Sequence, residues 1–130
     1  FFFCMGVEDN IVANNLFAGN AGHGIGGLGA TGDVRNMVSS NQCLENGKAG
    51  IHLDGGSHNT VTNNVCRSNS QTEKGKWAGI HISKPTKKAV IMGNHCLDDQ
   101  EEPTQAIGIL EEDGCESNVI QNNTCSSCDE

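Results

Sequence analysis

Asn59-Thr60-Val61-Thr62-Asn63-Asn64-Val65-Cys66 is one of five segments written on a single template. The others run Asn10-Ile-Val-Ala-Asn-Asn15-Leu-Phe17, Asn36-Met-Val-Ser-Ser-Asn41-Gln-Cys43, Ala89-Val-Ile-Met-Gly-Asn94-His-Cys96 and Asn118-Val-Ile-Gln-Asn-Asn123-Thr-Cys125. Each has an aliphatic residue third, Asn sixth, and Cys or Phe eighth. Alternation of β-branched and polar residues over so short a run reads as strand. A second motif separates successive copies: Gly24-Ile25-Gly26, Gly50-Ile51-His52-Leu53, Gly79-Ile80-His81-Ile82 and Ala106-Ile107-Gly108-Ile109. Each repeat therefore carries at least two short strands.

The sixth-position asparagines Asn15, Asn41, Asn64, Asn94 and Asn123 recur at intervals of 26, 23, 30 and 29 residues. Helical repeats need near-constant length to pack, whereas a β-solenoid absorbs extra residues as loops at one corner. The expected fold is all-β: a right-handed parallel β-helix of about five coils forming one domain over residues 1–130. Residues 1–9 are read as either an end cap or the cut edge of a longer β-helix. Val12, Val38, Val61, Ile91 and Ile120 should form one inward column, and Ile25, Ile51, Ile80 and Ile107 or Ile109 another. Asn tolerates left-handed backbone angles and bonds nearby backbone, so the five asparagines should pin one corner of the stack.

Composition agrees with a thin core and many turns: aromatics are 4%, tyrosine is absent, and 17 glycines stand against 2 prolines. No apolar run reaches spanning length, so no membrane span is expected. Of 7 cysteines, Cys43, Cys66, Cys96 and Cys125 share the position that Phe17 takes in the first copy. Interchange with Phe marks them as small buried hydrophobes. Cys125-Ser-Ser-Cys128 lacks the second pair a zinc site would need.

Net charge is −8. Lys74, Lys76, Lys84, Lys87 and Lys88 cluster ahead of a tail from Asp98 onward that is acidic and holds no Lys or Arg. Such a chain is a poor partner for nucleic acid. Asp98, Asp99, Glu101, Glu102, Glu111, Glu112 and Asp113 are either a calcium site or a solvated surface that discourages edge-to-edge association.

The N-x-[V/I]-x-x-N-x-C and G-I-H-[L/I] repeats, from Asn10 to Cys125, resemble those of the pectate-lyase-like superfamily of parallel β-helices. That resemblance implies the fold. It also implies a polysaccharide partner, an extracellular, cell-surface or periplasmic location, and lyase, epimerase or hydrolase chemistry on acidic glycans in many members. Other members are tailspikes and adhesins without chemistry. Gly22-His23-Gly24 matches the Gly-His-Gly of polygalacturonases in letters, but the aspartates expected upstream are missing and no role is carried over.

Alternation sends Ile51, Leu53, Ile80 and Ile82 inward and His52, Asp54, His81 and Ser83 outward. Stacking makes His52 and His81 neighbours: a paired imidazole resists a second positive charge, leaving a neutral base that Asp54 orients. These three are the candidate catalytic residues. Lys84 is positioned to neutralise a uronate and Trp77 to stack on a sugar ring. Three functions remain open: a polysaccharide enzyme, a non-catalytic glycan-binding or adhesive module, and a structural segment of a surface fibre that self-associates through its coil ends.

Overall fold

The computed structural model describes residues 1–4, 6–30 and 32–128. Three strands make each turn. The first holds β1 (Ile11–Ala13), β2 (Leu16–Ala18) and β3 (Ile25–Leu28); the second β4 (Met37–Ser39), β5 (Gln42–Leu44) and β6 (Ile51–Asp54). The third holds β7 (Thr60–Thr62), β8 (Val65–Arg67) and β9 (Ile80–Ser83); the fourth β10 (Val90–Met92), β11 (His95–Leu97) and β12 (Ile109–Glu111). β13 (Val119–Gln121) and β14 (Thr124–Ser126) begin another. All pairing between these strands is parallel, in three sheets ordered β1-β4-β7-β10-β13, β2-β5-β8-β11-β14 and β3-β6-β9-β12. The stack is thus four full turns and the start of a fifth, close to the five read from the repeats.

Each sheet contributes an inward column. Val12, Val38, Val61, Ile91 and Ile120 stand in register, as do Phe17, Cys43, Cys66, Cys96 and Cys125. Ile25, Ile51, Ile80 and Ile109 form the third; Ile109, not Ile107, continues it, because β12 pairs with β9 two residues later than the G-I motif suggests. Cys43, Cys66 and Cys96 are buried thiols. Hydrogen bonding to Cys43 and Cys96, together with burial, pushes the Cys66 thiol well above its ordinary range, so it remains protonated.

Three asparagine ladders, not one, hold the corners. Beside the expected row run Asn10, Asn36 and Asn59, and Asn20, Asn46, Asn69 and Gln105. Asn64 shows the logic. Its Oδ1 accepts from the Asn41 backbone N–H (2.9 Å) and Nδ2 (3.1 Å), and its own Nδ2 donates to Val38 O and Asn94 Oδ1 (both 3.0 Å). Every polar atom of the buried amide is satisfied, as burial demands. The left-handed angle expected of these asparagines belongs instead to the residue before each: Asn14, Ser40, Asn63, Gly93 and Asn122 at the middle corner, Asp9, Arg35 and His58 at another. That residue makes the bend and turns the following amide into the stack.

The glycine of the second motif answers to the same ladders. A Cβ on Gly50 would lie 2.9 Å from both Asn69 Nδ2 and Cys66 Sγ and 2.8 Å from Gly79 O. Only glycine lets this corner close on the amide row. The first residues add to the stack: Phe3 N–H donates to Gly26 O, Gly26 N–H to Phe1 O, and Phe3 is buried. Arg35 binds Glu8 and Asp9 beside them.

Candidate functional site

The site is built on the outward face of the β3-β6-β9-β12 sheet. Parallel register sets His52 beside His81 and Asp54 beside Ser83, with Ile51, Leu53, Ile80 and Ile82 packed inward. The expected histidine row is therefore present, and it has a third member. β3 is irregular between Ile25 and Leu28 and sets Gly26 and Gly27 against the His52 strand. Gly26 has no side chain to fill the slot, and His23 folds over it, 3.2 Å from where a Cβ would stand. The His23 and His52 rings stack at 4.5 Å and 24°. Because the Ala49 N–H donates to His23 Nδ1 (3.2 Å), that nitrogen carries a lone pair and His23 is neutral with its proton on Nε2.

Trp77 closes over the row. It sits in the insertion that lengthens the third turn, a loop tied down by Ser70 N–H to Lys48 O, Gln71 N–H to Asn46 O and Thr72 N–H to Gly47 O. The Trp77 N–H donates to Ser70 Oγ (3.1 Å) and the indole N–H to Glu73. The indole centroid lies 4.8, 5.6 and 5.0 Å from those of His23, His52 and His81. Lys48 and Lys76 place ammonium groups 5.5 and 5.6 Å from it. Under this cover His81 is only 6% exposed, so it is not the open surface residue that alternation suggests.

Glu112, just past β12, joins the imidazoles from the fourth turn. Its Oε1 lies 3.1 Å from His81 Nε2, and its Oε2 accepts weakly from the Lys84 N–H. The His81 hydrogen bond holds the Glu112 carboxyl below its ordinary value, with help from Lys84 N–H and the Ser83 hydroxyl. A carboxylate accepts only, so His81 donates through Nε2. Its Nδ1 is buried without a hydrogen-bond partner. His52 Nε2 lies 3.0 Å from Ser83 Oγ. Burial lowers the pKa of His52, opposed by the charge of Asp54. Burial, with the charges of His52, Lys48 and His81, takes His23 down to about 3.

His52, Lys76, Trp77, His81, Ser83 and Glu112 line a cleft of about 320 Å³. Two residues expected in the site lie outside this lining. Asp54 is exposed at the end of β6 and acts on His52 through its charge. Lys84 points its stem toward Gly114, and Lys76 supplies the cleft's cation. His23, Lys48 and Glu112 were not anticipated. Glu112 becomes visible only once β12 is shifted to Ile109↔Ile80, which also puts Leu110, not Gly108, beside His81.

The acidic residues considered for calcium are spread among separate partners. Asp98 is buried; its Oδ2 accepts from the Thr104 and Gln105 N–H groups (2.8 and 2.7 Å) and its Oδ1 from Gln100 N–H (3.1 Å). Asp99 pairs with Arg67 and Glu102 with Lys74. Among the described residues no group of three or more His, Cys, Asp or Glu side chains is placed to hold a metal ion. No helix among them is long and apolar enough to cross a membrane.

A family model described as a right-handed beta helix region matches residues 3–130. No curated protein and no solved structure matches significantly.

Proposed function

Because the chain belongs to the right-handed beta helix family, and coarsely to the pectate-lyase-like superfamily, we propose that it is a polysaccharide-interacting module whose glycan lies across the His52–Trp77–His81 cleft. One observation carries this reading: the single tryptophan is drawn by an inserted loop onto the outward row of imidazoles formed by His23, His52 and His81, with a carboxylate and an ammonium lining the same cleft. Indole and imidazole faces pack against sugar C–H surfaces, and Glu112, Ser83 and Lys76 offer acceptor, hydroxyl and cation to sugar hydroxyls and carboxylates. Acidic glycans are favoured over neutral ones because Lys48 and Lys76 flank the indole. Within this reading His52 is the better proton acceptor, since His81 is bound to Glu112 through Nε2 and its Nδ1 is buried.

A structural segment of a surface fibre is the competing reading. It is favoured by the same indole, whose contacts with three imidazoles and two ammonium groups make it a clasp for the 70–78 loop. Titration with a panel of uronan and neutral oligosaccharides separates the two. Glycan binding should shift Trp77 fluorescence and the ring resonances of His52 and His81 before any signal from the acidic loops. Trp77→Ala should weaken it about tenfold or more, the equivalent of about 1.4 kcal/mol. A panel that leaves all three rings unmoved, with Trp77→Ala only lowering stability, establishes the clasp.

A further inference from the structure

We propose that Ser83 is a nucleophile and His52 its general base, making the cleft a site for hydrolysis of acyl esters, such as O-acyl groups carried on a glycan. Three successive turns meet at this cleft. The second supplies an imidazole, the third a hydroxyl and the fourth a carboxylate, and the hydroxyl lies between the other two. His52 Nε2 is 3.0 Å from Ser83 Oγ, within the reach required of a nucleophile and its base. The Ser83 hydroxyl also helps hold Glu112 ionised, so its single proton has two alternative acceptors, Glu112 and His52 Nε2.

Each partner is held. The His52 ring is stacked on His23 at 4.5 Å and met edge-on by Trp77. The Ser83 carbonyl accepts from the Thr86 N–H (3.2 Å) and Thr86 Oγ1–H (2.6 Å), which fixes the backbone at the end of β9. Glu112 is anchored by His81, itself under Trp77. Such preorganisation is what allows a hydroxyl to react without rearranging its surroundings. Burial lowers the pKa of His52, which keeps it a free base below the pH at which an ordinary histidine protonates. Asp54 stands close enough to favour the imidazolium that forms, and Lys76, its ammonium paired with Glu73 at 3.0 Å, lines the same cleft.

The step balances without any co-reactant but water. Ser83 Oγ attacks the carbonyl carbon of the ester while its proton passes to His52 Nε2. The tetrahedral oxyanion collapses, the alcohol leaves with the proton from His52, and an acyl-serine remains. Water, deprotonated by His52, attacks that acyl group; the C–Oγ bond breaks, His52 returns the proton to Ser83 Oγ, and the carboxylic acid departs. The neutral His52 must carry its proton on Nδ1 at the moment of attack, so that Nε2 offers a lone pair. Only the alcohol portion of the substrate rests on the glycan reading above; the acyl chemistry is tested apart from it.

The experiment incubates the whole protein with p-nitrophenyl acetate, quenches with acid and locates the acetyl group by peptide mass spectrometry. The inference expects a burst of p-nitrophenolate and acetyl on Ser83. Ser83→Ala should lose the burst, Ser83→Cys should move the acetyl to the new thiol, and His52→Gln should slow acylation by about 100-fold or more. Acetyl found only on lysine or histidine side chains of the wild type overturns it, whatever the variants do, as does an equal rate in a folded Ser83→Ala protein. The wild type is then given an acetylated uronan and its deacetylated form. Acyl-serine from the small ester with binding of neither glycan sinks the glycan reading and leaves this one. Glycan binding with Ser83 never acylated does the reverse.

Discussion

Asn64 carries more of the fold than any apolar side chain its size, because one amide completes the hydrogen bonding of three turns. Replacing it by alanine strands the Val38 carbonyl and the Asn41 backbone N–H and Nδ2 inside the stack. Each unsatisfied buried group costs about 1–3 kcal/mol. Asn64→Ala should therefore destabilise by at least about 3 kcal/mol in urea unfolding. Cys66, fully buried in β8 two residues after Asn64, is a packing residue, and Cys66→Val should cost about 1.5 kcal/mol or less. A cost for Cys66→Val as large as that for Asn64→Ala would contradict the division of labour between ladder and core. His23 gives the residue scale its pH dependence. Its folded pKa of about 3 lies below the ordinary 6.5, so between those values the unfolded chain binds more protons than the folded one. The stability it contributes is complete above about pH 6.5 and is lost as pH falls toward 3. A thermal-unfolding series across that window should show the midpoint dropping with pH, and His23→Phe should flatten the curve.

At the scale of elements, the two long turns do different work with similar lengths. The 70–78 insertion leaves the stack to carry Trp77 over the histidines. The 98–105 insertion folds around the buried Asp98 carboxylate, whose acceptance of the Gln105, Gln100 and Thr104 N–H groups outweighs the upward pull of burial and keeps it ionised. That loop delivers Gln105 to the third ladder, where its Oε1 accepts from Asn69 N–H and Nδ2 and its Nε2 donates to Cys66 O. The anchor at residue 98 and the ladder are thus coupled. Asp98→Ala should speed amide exchange at Thr104 and Gln105 and also at Asn69, a turn away. Faster exchange confined to 98–105 would mean that Gln105 holds its place without the carboxylate. A two-residue offset was enough to hide Glu112 from sequence reading: the Ala106-Ile107-Gly108 letters imitate the motif while the backbone pairs from Ile109.

Over the whole molecule, neighbour-to-neighbour stacking makes stability a sum of turns and their interfaces. Interior turns have both faces covered, whereas in the last turn Ile120, inward in register with Ile91, is 38% exposed. Protection against amide exchange should be highest in β5, β6, β8 and β9 and lowest in β13 and β14. The circular dichroism spectrum should be that of strand with almost no helix. Uniform protection along the stack would show all-or-none unfolding in place of fraying from the ends. Charge supports the same picture: Arg35 bridging Glu8 and Asp9, and Arg67 between Glu45 and Asp99, tie successive turns at exposed positions, where each pair adds only about 0–1 kcal/mol.

The repeat itself determined the solenoid, its inward columns and the neighbouring of His52 and His81, because stacking in register turns sequence periodicity directly into contact. It also determined which asparagines form the middle ladder. What the letters do not carry is how an irregular turn closes. The Gly26–Gly27 irregularity that admits His23, the fold-back that lays Trp77 across the imidazoles and buries His81, and the shifted start of β12 that brings in Glu112 all depend on loops of unequal length. Their course is set by hydrogen bonds to turns more than twenty residues away, and no local pattern encodes such partners. The stack was written in the sequence, and the site was assembled where the stack departs from its repeat.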